Sequence, residues 1–173
     1  MQVKPQRNRF AGDSEGDLVE RSFEEFFRIE YPRLLKTMVL MTGSSSDGED
    51  LAQEAMVRVF ERWDRIAGTR SPAGYAYKTA FNLNRKTARR RRVSDRILPL
   101  LLRDVSAPNG HDATELRLVI AKMPRPLKEA LIVVDWLGYT SEEASRILGI
   151  RPAGVRSRLH RARPMLVHTL GED

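Results

Sequence analysis

The stretch Arg151-Pro152-Ala153-Gly154-Val155-Arg156-Ser157-Arg158-Leu159-His160-Arg161-Ala162-Arg163 holds five arginines and a histidine in thirteen residues, and no acid. On a helix, Val155, Leu159 and Ala162 share one face at i, i+4, i+7 spacing. Arg156, His160 and Arg163 flank that stripe on one side, Arg158 and Arg161 on the other. Such a helix buries one edge and presents guanidinium groups from the rest. The residues before it supply its support. Thr140-Ser141-Glu142-Glu143 reads as a capping box, in which a hydroxyl and a carboxylate three residues on satisfy each other's backbone amides. Ala144, Ile147 and Leu148 give a short apolar face, Gly149 a helix stop, and Pro152 a first-turn position. Short helix, glycine turn and basic helix form the pattern of a helix-turn-helix, whose second helix enters the DNA major groove.

Composition agrees with a polyanionic partner. The chain has 173 residues, a net charge of +7 and 41% hydrophobic residues, enough for one ordinary domain or two small ones. With no cysteine there is no disulfide framework, thiolate metal site or cysteine nucleophile. Three histidines, His111, His160 and His168, without metal-ligand spacing argue against zinc. No apolar run reaches signal-peptide or membrane-span length, so a cytoplasmic chain is expected.

Upstream, the periodicity is helical throughout and no strand-period segment appears, which predicts an all-α chain. Met1 to about Leu18 is polar and aperiodic and reads as a mobile tail. Phe23, Phe26, Phe27, Tyr31, Leu34, Leu35 and Met38 mark a helix capped by Ser22 with Glu25, and Pro32 predicts a kink or split near Tyr31. Ser46-Asp47-Gly48-Glu49 reads as the capping box of the next helix, with Leu51, Ala52, Ala55, Met56, Val59, Phe60 and Trp63 as its buried stripe. Its opposite face is mostly acidic or neutral: Asp47, Glu49, Asp50, Gln53, Glu54 and Glu61, with Arg58 and Arg62. In a basic protein, that face is either a solvated surface or a docking surface for a protein partner. Ser71-Pro72 opens a helix through Tyr75, Tyr77 and Phe81 that ends in Arg85, Lys86 and Arg89 to Arg92. Asn82 and Asn84 are poor helix formers, so their presence suggests a polar task such as reading base edges. Val93 to about Ala113, with Pro99, Pro108 and the leucines Leu98 to Leu102, reads as a linker. Helices over Glu115–Met123 and from Leu127 to Gly138 then lead into the helix-turn-helix.

These residues resemble a family. Gly48-Glu49-Asp50-Leu51-Ala52-Gln53-Glu54, Phe60-Glu61-Arg62-Trp63 and Ala80-Phe81-Asn82-Leu83 running into arginines are similar to the second conserved region of bacterial sigma factors. Met123-Pro124, Gly138-Tyr139-Thr140-Ser141-Glu142-Glu143-Ala144 and Val155 to Arg163 are similar to the fourth. The two regions joined by a short linker resemble the extracytoplasmic-function group of the sigma-70 family. The resemblance implies two small helical domains, region 2 over 19–93 and region 4 over 113–173, with a tail at 1–18 and a flexible linker at 94–112. It implies a promoter-specificity factor of RNA polymerase rather than an enzyme, with no metal or other cofactor and no membrane partner.

Core polymerase would be met through Asp50, Leu51, Gln53, Glu54, Arg58 and Trp63 on the beta-prime clamp helices, and through the beta flap. The −10 element would be met by Tyr75, Lys78, Asn82, Arg85, Lys86, Arg89 and Arg90, with the connector Asp64–Ser71 receiving a flipped base. Arg151, Arg156, Ser157, Arg158, His160 and Arg161 would meet the −35 duplex. The apolar surfaces of both regions would suit an anti-sigma factor, and would equally suit packing of the two domains on each other. Arg151, Gly154, Ser145 and Pro164 depart from the family pattern and bear on the start and the continuation of the recognition helix. Two alternatives stay open: a stand-alone helix-turn-helix regulator using only 113–173, and a Mg²⁺-dependent nucleic-acid enzyme built on Asp47, Glu49, Asp50 and Glu54.

Overall fold

A computed structural model of the chain describes residues 22–94 and 118–170, and these are helical apart from short turns. The expected tail, and the expected linker with its leucines, lie outside the described residues.

The N-terminal unit consists of α1 (Phe23–Thr42), α2 (Ser45–Phe60), the single turn α3 (Trp63–Ile66) and α4 (Pro72–Ser94). Ser22 caps α1, its Oγ accepting from the Glu25 amide at 3.3 Å. α1 runs through Pro32 as one helix, so the chain is not split near Tyr31. Pro32 and Arg28, four residues before it, are exposed, so the carbonyl that loses its amide partner faces water. Gly43, at φ 71°, ends the helix.

α2 begins earlier than its sequence pattern suggested. The cap is Ser44, whose Oγ accepts from the Asp47 amide at 3.2 Å, rather than Ser46. Ser44 is the first residue free of the turn at Gly43, so it reaches the orphan amides first. The serine predicted to cap α4, Ser71, does so, accepting from the Gly74 amide at 3.0 Å, with Pro72 as first helical residue.

Leu34, Met38, Ala52, Ala55, Met56, Val59, Ala76, Ala80 and Phe81 form the buried centre of this unit. Phe60, expected in that stripe, is 60% exposed. It is the last residue of α2 and lies at the stripe's edge, where its ring packs on Phe23 at a centroid distance of 4.9 Å. Gly48 is buried because α1 and α2 cross there: a Cβ at 48 would lie 2.6 Å from the Val39 backbone nitrogen.

The C-terminal unit comprises α5 (described over 118–122), α6 (Arg125–Leu131), a π-helical turn (Ile132–Trp136), α7 (Ser141–Leu148) and α8 (Pro152–Leu170). In the π turn the Leu137 amide reaches back five residues to the Ile132 carbonyl at 2.9 Å. α8 continues through Pro164, on its exposed side, where a disturbance was expected.

The two units share one apolar core. Ala130, Ile132, Val133, Tyr139, Ala144, Ile147 and Leu148 belong to the same buried cluster as the residues of α1, α2 and α4. At the seam the rings of Tyr77 and Tyr139 meet edge-on at 6.0 Å. Glu30 of α1 is 2% exposed, with Oε1 3.6 Å from the Arg33 guanidinium. Burial pushes its carboxyl above the usual range, and Arg33 offsets only part of that.

Gly48→Ala should destabilise the protein by roughly 1–3 kcal/mol, because the added methyl meets backbone rather than a movable side chain; urea unfolding checks this. Glu30→Gln should raise stability at neutral pH. A carboxyl whose folded pKa lies above its unfolded one weakens the fold as pH rises through that interval. The gain over wild type should therefore vanish as pH falls below the ordinary carboxylate range, which thermal melts across pH would report.

Candidate polymerase and promoter interfaces

Three surfaces carry the residues singled out from the sequence. The first is the outer face of α2. Glu49, Asp50, Gln53, Glu54, Arg58 and Glu61 are exposed along it. Gln53 donates to Glu49 at 3.1 Å and Arg58 to Glu54 at 2.6 Å, i to i+4 pairs that hold the side chains along the helix. Leu51 is not on this face. It is 7% exposed in the core and anchors the helix instead, because position 51 falls on the buried stripe with Ala52 and Ala55. Trp63 is half-buried against Phe26 and Phe23, at 4.9 and 5.5 Å. Val57 and Phe60, 56% and 60% exposed, sit among the charges and were not singled out as surface residues. Val57 could have been found in the sequence, since it is apolar and off the core stripe.

The second surface is α4. Lys78, Asn82, Lys86, Arg89 and Arg90 are exposed, while Tyr77 and Phe81 are core residues. Tyr75 is half-buried, its hydroxyl accepting from Arg62 of the connector before α3. Asn84 is buried and so is not presented to a ligand, whereas Asn82 is. The connector predicted over Asp64–Ser71 is partly helical, pinned by buried Ile66 and by Thr69, whose hydroxyl donates to the Ile66 carbonyl at 2.7 Å. Arg85 differs from the other basic residues. It is half-buried and its guanidinium is fully engaged, with Nε on Glu129 Oε1 at 3.0 Å, Nη2 on Glu129 Oε2 at 2.7 Å, and Nη1 on the Leu148 carbonyl at 3.1 Å and Asn82 Oδ1 at 3.3 Å.

The third surface is α8, held by α7. The capping box at Thr140 is complete: its Oγ1 accepts from the Glu143 amide at 3.2 Å, and Glu143 Oε2 accepts from the Thr140 amide at 2.8 Å. Gly149 turns the chain at φ 70°. At Arg151 the start of α8 is closed by backbone: the Arg151 carbonyl accepts from the Gly154 amide at 2.8 Å. Val155, Leu159 and Ala162 are buried as their spacing required. Arg151, Arg156, Ser157, His160 and Arg161 are exposed and Arg158 is half-buried. Arg156 lies 3.6 Å from Glu142, a pair so exposed on both sides that it contributes little to stability. Arg163 is tied to the scaffold by a two-point bond to Asp135 at 3.1 and 2.8 Å, and that hydrogen-bonded carboxylate raises its pKa.

Among the described residues no group of three or more His, Cys, Asp or Glu side chains could hold a metal ion, and no helix is long and apolar enough to cross a membrane. The family model for sigma-70 region 2 matches residues 26–93, and that for sigma-70 region 4 matches residues 113–166. The RNA polymerase sigma-E factor of Streptomyces avermitilis is 30% identical over 151 residues, covering 85% of this chain and 83% of that protein. The chain belongs to the extracytoplasmic-function sigma factors of the sigma-70 family.

The SigE sigma factor of Mycolicibacterium smegmatis is 31% identical over 166 residues, or 89% of this chain and 64% of that protein. Among solved structures, the sigma factor RpoE of Bartonella quintana, crystallised with the anti-sigma factor NepR, superimposes with a TM-score of 0.80 at 18% identity. That match covers 87% of this chain and 98% of RpoE. CnrH, solved with the cytosolic domain of CnrY, gives a TM-score of 0.64 at 18% identity, over 87% of this chain and 88% of CnrH. The region 2 match, extending through α1, α2 and α4, disfavours a regulator that would need the helix-turn-helix alone.

Thr140→Ala removes one half of the capping box and should cost this sigma factor about 1 kcal/mol. Amide hydrogen exchange should show the loss first at the amides of the α7 first turn.

Proposed function

We propose that this sigma factor docks on the clamp helices of the polymerase beta-prime subunit through α2, captures the opened −10 element with α4, and grips the −35 duplex with α8. Region 4 would also meet the beta flap. The observation that carries this reading is the segregation of charge in a chain of net charge +7. The exposed face of α2 is mostly acidic, with Val57 and Phe60 exposed at its C-terminal end, whereas the exposed residues of α4 and α8 are mostly basic and polar. A charged face beside exposed apolar side chains suits a protein partner, and a basic helix face suits a polyanion.

On α2, Asp50, Gln53, Glu54 and Arg58 would make the polar contacts, with Leu51 and Trp63 supporting from below. On α4, Asn82 would read a base and Lys78, Lys86, Arg89 and Arg90 would follow phosphates, with Tyr75 beside the connector where an unstacked base would lodge. On α8, Arg156, Ser157, Arg158, His160 and Arg161 would face the major groove, and Arg151 would meet the backbone at its edge. The polymerase it serves is cytoplasmic. An anti-sigma factor is a further partner; the exposed apolar residues Phe27, Val57 and Phe60, and the anti-sigma factor NepR bound to the RpoE relative, support it.

Run-off transcription with purified core polymerase on a library of randomised promoters tests the reading. Transcripts should start at a fixed distance from an enriched pair of boxes; silence with duplex binding intact would point to an independent regulator. Asp50→Arg should weaken polymerase binding by about a hundredfold or more through charge reversal on the docking face, and leave DNA affinity little changed. Unchanged polymerase binding would put the docking face elsewhere.

A further inference from the structure

Arg85 stands on the helix proposed for the −10 strand, and it is where region 4 closes on region 2. Glu129, on α6, is 2% exposed, and its carboxylate receives the Arg85 guanidinium side-on through two hydrogen bonds, the geometry in which arginine also takes a phosphate. Arg125, at 3.7 Å, is its second cation. The remaining guanidinium nitrogen of Arg85 donates to the Leu148 carbonyl, in the last turn of α7, where orphan carbonyls and the negative end of the helix dipole favour a cation. Asn82 is drawn in as well, its side-chain oxygen accepting from Arg85. One side chain from the −10 helix thus both neutralises a buried acid and caps the supporting helix of the −35 reader. The apolar seam around it, with Tyr77 on Tyr139 and Gly74 facing Ile147, encloses that ion pair.

This arrangement cannot serve both promoter boxes at once. α4 packs on α7 and α7 on α8. At helix spacings of about 10 Å, the −10 and −35 helices are therefore held about 20 Å apart at closest approach. The boxes are roughly 25 base pairs apart by their names, about 85 Å along the duplex. Fully extended, the chain over 95–117 reaches about 80 Å, comparable to that separation, so only separated units could bring both helices near their sites.

We infer that Glu129 is an internal stand-in for a DNA phosphate: by taking Arg85 it holds the two regions shut and withholds Arg85 from promoter DNA until the seam opens. The inference rests on the reading of α4 and α8 as the −10 and −35 helices. It differs from simple domain packing in naming a competitor. A nucleic-acid strand laid on α4 and Glu129 contend for the same guanidinium, so binding and opening are linked.

The absence of cysteine makes the test direct. Cysteines placed at the exposed positions Lys36 and Lys122 carry paired spin labels on the full chain. Free protein should give one short interlabel distance, and Glu129→Gln should shift the population to long distances, with helical circular dichroism unchanged. A free protein that is already long, or a Glu129→Gln variant that stays short, overturns the inference. In the same samples, Glu129→Gln should bind a single-stranded oligonucleotide library about tenfold more tightly. Lengthening without any oligonucleotide binding keeps the closure and overturns the −10 assignment of α4 instead. A second measurement leaves Glu129 in place. Joining the same two cysteines with a short reducible bis-maleimide should abolish promoter-directed run-off transcription, and reductant should restore it. Full transcription by the joined protein overturns the inference.

Discussion

A carboxylate with almost no access to water is costly to bury unless cations and donors replace its lost hydration. Glu129 imposes that constraint on this sigma factor, and its solution reaches across the chain: the guanidinium that meets it comes from α4, 44 residues away in sequence. Beside that ion pair, α4 packs on α7, the Arg85 side chain caps α7 from the other unit, and one apolar core runs through both. The two helical units share a seam with a charged centre, and a seam of that kind is costly to leave half-made.

The same economy of charge organises the surface. Acidic side chains collect on the outer face of α2, in i to i+4 pairs with Gln53 and Arg58 that keep them extended along the helix. Basic side chains collect on α4 and α8. Two basic residues in these stretches meet carboxylates from other elements, Arg85 at Glu129 and Arg163 at Asp135. The arginines of the two basic helices thus fall into a set presented to solvent and a smaller set spent on assembly, a division that composition alone does not reveal.

Much of this was legible in the sequence because it is local. Thr140 with Glu143, Gly149 and Pro152 mark helix ends through bonds within a few residues, and the stripe of Val155, Leu159 and Ala162 follows from helical periodicity. Where the reading failed, the deciding contact was also nearby but competed with another. Ser44 caps α2 in place of Ser46 because the turn at Gly43 brings it to the orphan amides first, and Phe60 leaves the predicted stripe because α2 ends there and Phe23 offers its ring a lateral partner. Pro32 and Pro164 sit where a break was expected, and the helices run through because both lie on exposed sides.

The sequence by itself determined the all-helical class, the helix-turn-helix, the acidic and basic faces and the resemblance that led to the sigma-70 family, since each rests on periodicity, capping or residue type within one segment. Only the tertiary structure decided that Asn84 faces inward, that Val57 and Phe60 face out, and that Arg85 is held by Glu129. Those outcomes depend on which faces of distant helices meet. Burial and ion pairing at a seam are properties of two segments together, and no spacing within either one encodes them.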